Sequence, residues 1–298
     1  MNQKIEIEFK SGIELYIKRD DLNHPFISGN KLRKLKYNLM EAKNKGFSKI
    51  VTFGGAFSNH ILATAAAGKE FGFETIGVIR GEELAFEIEN NPTLYEAKKL
   101  GMVFYFVTRE VYRNKASVDF LKHLEDKFGS FYLVPEGGTN ELAIKGCEEI
   151  LKEDDFSFDF ICCAVGTGGT ISGIINASQQ NQKILGFPAL KANFLYNHIR
   201  KFVHKNNWDL VLDYHFGGYG KIKPELITFL NKFYLETKVP LDPLYNGKMM
   251  FGIIDLISRD FFPPNAKILA IHTGGLQGIK GINKILKEKK KEIIIYED

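Results

Sequence analysis

One lysine in this chain stands where an amine could act as a nucleophile. It lies in Ser28-Gly29-Asn30-Lys31-Leu32-Arg33-Lys34-Leu35, after the charged run Lys18-Arg19-Asp20-Asp21-Leu22. Gly29 permits a turn at positive φ, and Asn30 suits the boundary before a helix. From there Leu32, Leu35 and Leu39 recur at helical spacing with basic residues between them. Lys31 therefore falls in the first helical turn, where the positive end of the helix dipole disfavours an ammonium. Such an amine deprotonates more easily and attacks more readily. Taken alone, the octapeptide reads first as a solvated surface lysine.

A second group could hold an anion. Gly166-Thr167-Gly168-Gly169-Thr170 follows an apolar run and opens a helix. Glycines let backbone N–H groups turn inward, and a helix N-terminus adds a positive dipole end. Thr167 and Thr170 can add hydroxyl donors. No Gly-Lys-Ser/Thr follows, so this is not a P-loop. The third glycine of the dinucleotide fingerprint is also missing at residue 171. A plain strand-to-helix turn is the competing reading. Ser58-Asn59-His60 opens another helix; Ser58 suits an N-cap, or the three together suit a small carboxylate. His60 can equally be a packed residue. Tyr219, in a glycine-flanked turn, and Tyr245, just ahead of a helix, are phenols that could serve packing or chemistry.

The elements that must position these groups alternate. Residues 3–10 and 13–18 read as a strand pair, and the Lys31 helix runs to about Lys45. Strands are expected at 49–53, 74–79, 103–107, 131–134, 158–165, 183–187, 210–212 and 266–271, with helices between them and a last helix and strand at the end. This order predicts an α/β fold with parallel and mixed sheets wrapped by helices. Glycine-rich loops follow strands at Gly54, Gly166 and Gly274, and ligands bind at strand C-termini in such sheets. Residues 1–46 with 156–298 are expected to form a larger domain and 47–155 a smaller inserted one, with a ligand cleft between them.

Composition sets the class. The 298 residues are 44% hydrophobic and 26% charged with a net charge of +4, as in an ordinary globular protein. Basic residues are interleaved with acids, which argues against nucleic acid. No apolar run nears 18 residues and the start carries Lys4, Glu6 and Glu8, so no membrane span is expected and the cytoplasm is the expected compartment. Cys147, Cys162 and Cys163 show no Cys-x-x-Cys spacing and read as buried thiols; no residues are assigned to a metal.

Five motifs in order, running from about residue 18 to 277, carry a resemblance. Gly-Asn-Lys-x-Arg-Lys-Leu around Lys31, Ser58-Asn59-His60, Gly166 to Thr170, Asp242-Pro243-Leu244-Tyr245 and His272-Thr273-Gly274-Gly275 together resemble the family of 1-aminocyclopropane-1-carboxylate (ACC) deaminases and D-cysteine desulfhydrases. The resemblance implies pyridoxal 5′-phosphate (PLP), the tryptophan-synthase-β fold and a homodimer acting on a small amino acid. It implies that Lys31 carries the cofactor and that Gly166, Thr167, Gly168, Gly169 and Thr170 hold its phosphate. Thr273 would stand near the pyridine nitrogen, with Asn59 also at the cofactor. Ser58, Asn59 and His60 would bind the substrate carboxylate, and Tyr245 and Tyr219 would flank the substrate, with Ser58 counted among the catalytic groups.

The reaction turns on two departures. In ACC deaminases a glutamate typically follows the tyrosine and a leucine follows the last-loop histidine; here the residues are Asn246 and Thr273. A carboxylate near the pyridine nitrogen keeps it protonated and makes a strong electron sink, whereas a neutral hydroxyl does not. Expelling a good leaving group from Cβ needs only the weaker sink. The expectation is a lyase carrying out α,β-elimination on D-cysteine to give pyruvate, ammonia and hydrogen sulfide. The alternatives are ACC ring opening to 2-oxobutanoate and ammonia, and a non-catalytic PLP- or amino-acid-binding protein. A nucleotide-binding oxidoreductase is a third class.

Overall fold

The structure is a computed structural model, and it describes residues 1–191 and 194–296. Among them ten strands appear in chain order: β1 (Asn2–Lys4), β2 (Glu14–Lys18), β3 (Lys49–Gly54), β4 (Glu74–Arg80), β5 (Val103–Val107), β6 (Tyr132–Val134), β7 (Phe160–Val165), β8 (Lys183–Pro188), β9 (Trp208–Leu210) and β10 (Lys267–Ile271). They make a six-stranded sheet in the order β1-β2-β10-β7-β8-β9 and a four-stranded sheet in the order β5-β4-β3-β6. All pairings are parallel except β1 with β2. Helices connect the parallel strands, as a parallel ladder requires.

The apolar run of β7 shows why the larger sheet must be covered on both faces. Cys162 and Ala164 pack into one core, with Leu15, Ile17, Ile268 and Ala270 from neighbouring strands. Ile161, Cys163 and Val165 pack into another, with Leu269 and Ile271. The period-2 alternation of a strand thus divides one hydrophobic run between two cores. All three cysteines are buried and free.

Three expectations about elements are corrected. The first strand is shorter than expected: it ends at Lys4, and the chain reaches β2 through a 3-10 turn at Lys10–Gly12, with Ser11 and Gly12 at positive φ. The strand expected at 210–212 is Trp208–Leu210. No final strand forms among the described residues. Ile294 instead packs into a core, and its backbone exchanges hydrogen bonds with the Asn283 side chain at 2.8 and 3.0 Å, so the segment is held without a sheet partner.

Strand register places the site. Ile271 at the end of β10 lies beside Lys18 of β2 and Cys163 of β7, so the loops after all three strands emerge at one edge of the larger sheet. Thr52 of β3 lies beside Val134 of β6, which brings the loops at 55–58 and 135–139 together in the same way. No helix among the described residues is long and apolar enough to cross a membrane.

Candidate active site

Lys31 sits in the first turn of the helix Asn30–Asn44, which is docked from below by charge. Arg33 pairs with the buried Asp20 at 2.8 Å, and Arg19 grips Asp21 through two nitrogens at 2.8 and 2.9 Å. The turn before the helix is fixed by Gly29, at φ 67. A Cβ there would overlap the Thr273 carbonyl oxygen, which instead accepts the Asn30 N–H at 3.3 Å. Glycine is therefore required twice, for its φ and for this close approach. The Asn30 side chain donates to Thr170 Oγ1 at 2.8 Å. The lysine turn is thus tied to the loops after β7 and β10.

These loops enclose a cavity of about 850 Å³, within the range of small-molecule sites. Lys31, Ser58, Asn59, His60, Gly166, Thr167, Gly168, Thr170, Tyr219, Tyr245 and Thr273 all line it. The Lys31 amine has no hydrogen-bond or ionic partner among the described residues. Its pKa is pushed down to about 7, first by burial and second by the positive charge of Lys34. Burial disfavours the charged form and a like charge adds to the effect. The surface-lysine reading of the octapeptide does not hold in this fold.

The glycine loop shows a donor set suited to a phosphate. Gly168, at φ 88, caps the buried helix Gly169–Ala177. Gly169 has no room for a Cβ, since Thr139 Oγ1 would lie at 2.8 Å and the Lys34 amine at 3.3 Å. Lys34 is buried; its amine donates to Gly137 O at 3.0 Å and Thr139 Oγ1 at 3.1 Å. Thr139 and Thr167 share a hydroxyl–hydroxyl hydrogen bond. Two lysines, a helix N-terminus and hydroxyls meet here with no carboxylate bound to either amine. Lys34 was missed in the sequence, where it reads as one more basic residue on an amphipathic helix.

The Ser58 loop serves two purposes. Ser58 Oγ accepts the Ile61 N–H at 3.3 Å, an N-cap, and the residue still lines the cavity. Asn59 reaches across toward the glycine loop after β10, since a Cβ on Gly275 would lie 2.8 Å from its side-chain nitrogen. His60 is buried. Its Nε2 meets Thr52 Oγ1 at 2.8 Å, and that hydroxyl gives its proton to Val134 O at 2.9 Å. With that proton on Val134 O, Nε2 carries the imidazole proton, and Nδ1 is a buried acceptor with no partner among the described residues. Burial and the two lysines hold His60 well below its ordinary pKa. It is a packed, neutral ring at the edge of the site.

Tyr245 lies over Gly166, where a Cβ would come 3.1 Å from its ring. Tyr219 stands 6.0 Å away, ring centre to ring centre. Burial, and then the neighbouring Tyr219 phenol, push the Tyr245 pKa well above normal, so Tyr245 is a neutral hydroxyl here. Glu136, in the 3-10 turn Glu136–Gly138, carries no local signal in the sequence. Glu136 lines the cavity, accepts from Tyr112 at 2.8 Å and pairs with Lys115 at 3.1 Å.

Asn246 and Thr273 form one unit. Asn246 is wholly buried behind the cavity wall. Its Nδ2 donates to Asp242 Oδ2 at 2.6 Å and Gly274 O at 2.8 Å. Its Oδ1 accepts the Thr273 N–H at 3.0 Å and the Thr273 hydroxyl at 3.1 Å. Because Asp242 and Gly274 O can only accept, the amide orientation is fixed, and the Thr273 proton is committed to Asn246.

Fold and site define a PLP-dependent enzyme with the tryptophan-synthase-β architecture. The chain belongs to the family of pyridoxal-phosphate-dependent enzymes, whose pattern it matches over residues 5–274. It is 32% identical over 299 residues to the bifunctional D-cysteine desulfhydrase/1-aminocyclopropane-1-carboxylate deaminase, mitochondrial, of Arabidopsis thaliana, covering 90% of this chain and 74% of that one. It is 28% identical to a D-cysteine desulfhydrase of Serratia proteamaculans, covering 89% and 87%. A crystal structure described as an ACC deaminase homologue superposes with a TM-score of 0.82 at 28% identity, covering 96% of this chain and 93% of that one. An oxidoreductase that binds a nucleotide is thereby set aside.

Proposed function

We propose that the protein is a PLP-dependent lyase of the D-cysteine desulfhydrase type, converting a small amino acid with a β-thiol and water into pyruvate, ammonia and hydrogen sulfide. When bound, PLP withdraws electrons from an attached amino acid and acidifies its Cα–H. In this reading Lys31 carries the cofactor and its amine takes the Cα proton. A pKa near 7 leaves about half of that amine neutral and able to accept a proton at pH 7. Gly166 to Thr170, with Lys34, would hold the phosphate, and Thr273 would meet the pyridine nitrogen. Ser58, Asn59 and the helix N-terminus they open would take the carboxylate. Tyr245, as a neutral phenol, with Tyr219 beside it, would hand a proton to the departing sulfur.

The division into residues 1–46 with 156–298 and 47–155 is part of the same reading. It is supported by the strands of the smaller sheet, which all fall within 49–134. Closing the smaller unit would carry Ser58 to His60 over the substrate and exclude water.

The observation that carries the choice of reaction is the hydrogen-bonded set Asp242–Asn246–Thr273. In a carboxylate at position 246, one oxygen would keep the Thr273 N–H and hydroxyl, while the other would replace the Nδ2 donor and face Asp242 and the Gly274 carbonyl, both acceptors. This chain therefore presents a neutral hydroxyl where a strong electron sink would need a charge. ACC ring opening, named for the Arabidopsis thaliana relative among others, is the second reading. The test is product release from D-cysteine, L-cysteine and ACC in parallel. Pyruvate and sulfide from cysteine with little 2-oxobutanoate from ACC is expected; efficient release from ACC alone contradicts the proposal. Bound PLP without product from any of these amino acids would favour the non-catalytic reading.

A further inference from the structure

Lys248 lies in the first turn of the helix Asn246–Ser258, three residues after Tyr245, and is only 2% exposed. It makes no ion pair among the described residues. Its ammonium instead meets three backbone carbonyls: His215 O at 2.9 Å, Gly218 O at 3.0 Å and Ala189 O at 3.3 Å. Ala189 follows β8. The other two carbonyls belong to the loop that carries Tyr219.

That loop has little regular structure to hold it. Phe216, Gly217, Gly218 and Gly220 all take positive φ, at 56, 96, 124 and 71. Its internal bonds are Gly218 N to His215 O at 3.0 Å, Lys221 N to Gly218 O at 3.2 Å and Gly217 N to His215 Nδ1 at 2.9 Å. Tyr219 itself is 51% exposed. Converging carbonyl oxygens are the ligands that replace water around a monovalent cation, and a carbonyl buried without a donor is costly. Here the lysine supplies both the cation and the donors.

We propose that Lys248 is a positioning residue, an internal cation whose ammonium fills a three-carbonyl site and fixes the Tyr219 loop against the helix Asn246–Ser258, which Tyr245 precedes. The two phenols are set relative to one another through this contact. Burial pushes the Lys248 pKa down to about 8, against the pull of Asp242. The inference rests on the proposed function only for what Tyr219 does in turnover.

The test compares the wild-type holoenzyme with Lys248→Met and Lys248→Ala. Lys221, exposed in the same loop, gives a tryptic site that reports loop opening without any substrate. Both variants are expected to be cut after Lys221 about tenfold faster or more, with the cofactor absorbance retained. Turnover should fall on the order of 10²-fold, mainly in kcat. In Lys248→Ala, potassium or ammonium should restore protection and rate where choline does not. Tyr219→Phe added to Lys248→Met should cost almost nothing further. If the apolar variants fail to fold, Lys248→Gln, which keeps two donors, should show the same loop opening. Wild-type cleavage rates in the variants, or full additivity with Tyr219→Phe, would overturn the proposal. Absence of turnover on every amino acid would count against the proposed function, and the cleavage comparison would still decide Lys248.

Discussion

The cavity wall that carries the Gly166–Thr170 loop and Thr273 is braced by hydrogen bonds around the unpartnered Lys31 amine, whereas a second wall presents groups with few partners. On the first wall Asn30 bonds Thr170, Lys34 bonds Gly137 and Thr139, and Asn246 holds Thr273 by two bonds. On the second, Tyr219 is half exposed, and the Asn59 side chain forms no hydrogen bond among the described residues. A site that holds a resident cofactor gains from preorganised dipoles, while one that admits and releases a substrate needs groups free to change partners. In the proposed function the first wall would hold the cofactor and the second would exchange substrate.

If that assignment holds, damage to the two walls should read out differently. Gly29→Ala should have the largest effect, because its Cβ overlaps the Thr273 carbonyl and forces a strained φ. About 2–4 kcal/mol of stability should be lost in urea denaturation, together with cofactor content. Tyr219→Phe should leave stability within about 0.5 kcal/mol and lower kcat on the order of 10²-fold; equal losses in stability and rate would blur the two walls. Thr273→Val removes one hydroxyl from the braced wall and should cost about tenfold in turnover, with a shifted cofactor absorbance as the independent sign. The smallest effect to detect is protonic. Labelling of Lys31 in cofactor-free protein by an amine reagent should rise through pH 7, since its pKa lies near 7 and the neutral amine reacts above it. A midpoint above pH 9 would mean that burial and Lys34 do not act on it as the geometry requires.

Legibility in the sequence follows the same division. Glycines at Gly29, Gly166 and Gly168 are local signals, because each marks a backbone conformation or a close approach that other residues resist. The alternation of apolar runs with helical patterns likewise exposed the parallel sheets, since periodicity is written in neighbouring residues. What stayed hidden depends on distant contacts. Lys34 became a site residue only when the turn at Gly137–Thr139 came to meet it. Asn246 enters the sequence reading only as a departure after Tyr245, and the structure places it behind Thr273. The apolar end of the chain reads as a strand, yet Asn283 and Asn231 satisfy its backbone instead.

The account stands most directly on which lysine carries the cofactor. Lys31, Lys34 and Lys248 all have burial-lowered pKa values, so each is chemically able to react, and only geometry singles out one. Reducing the holoenzyme with borohydride and mapping the phosphopyridoxyl group by peptide mass spectrometry separates them. The label is predicted on Lys31 alone, and on no lysine in Lys31→Ala; label on Lys34 or Lys248 in the wild-type protein would contradict the account.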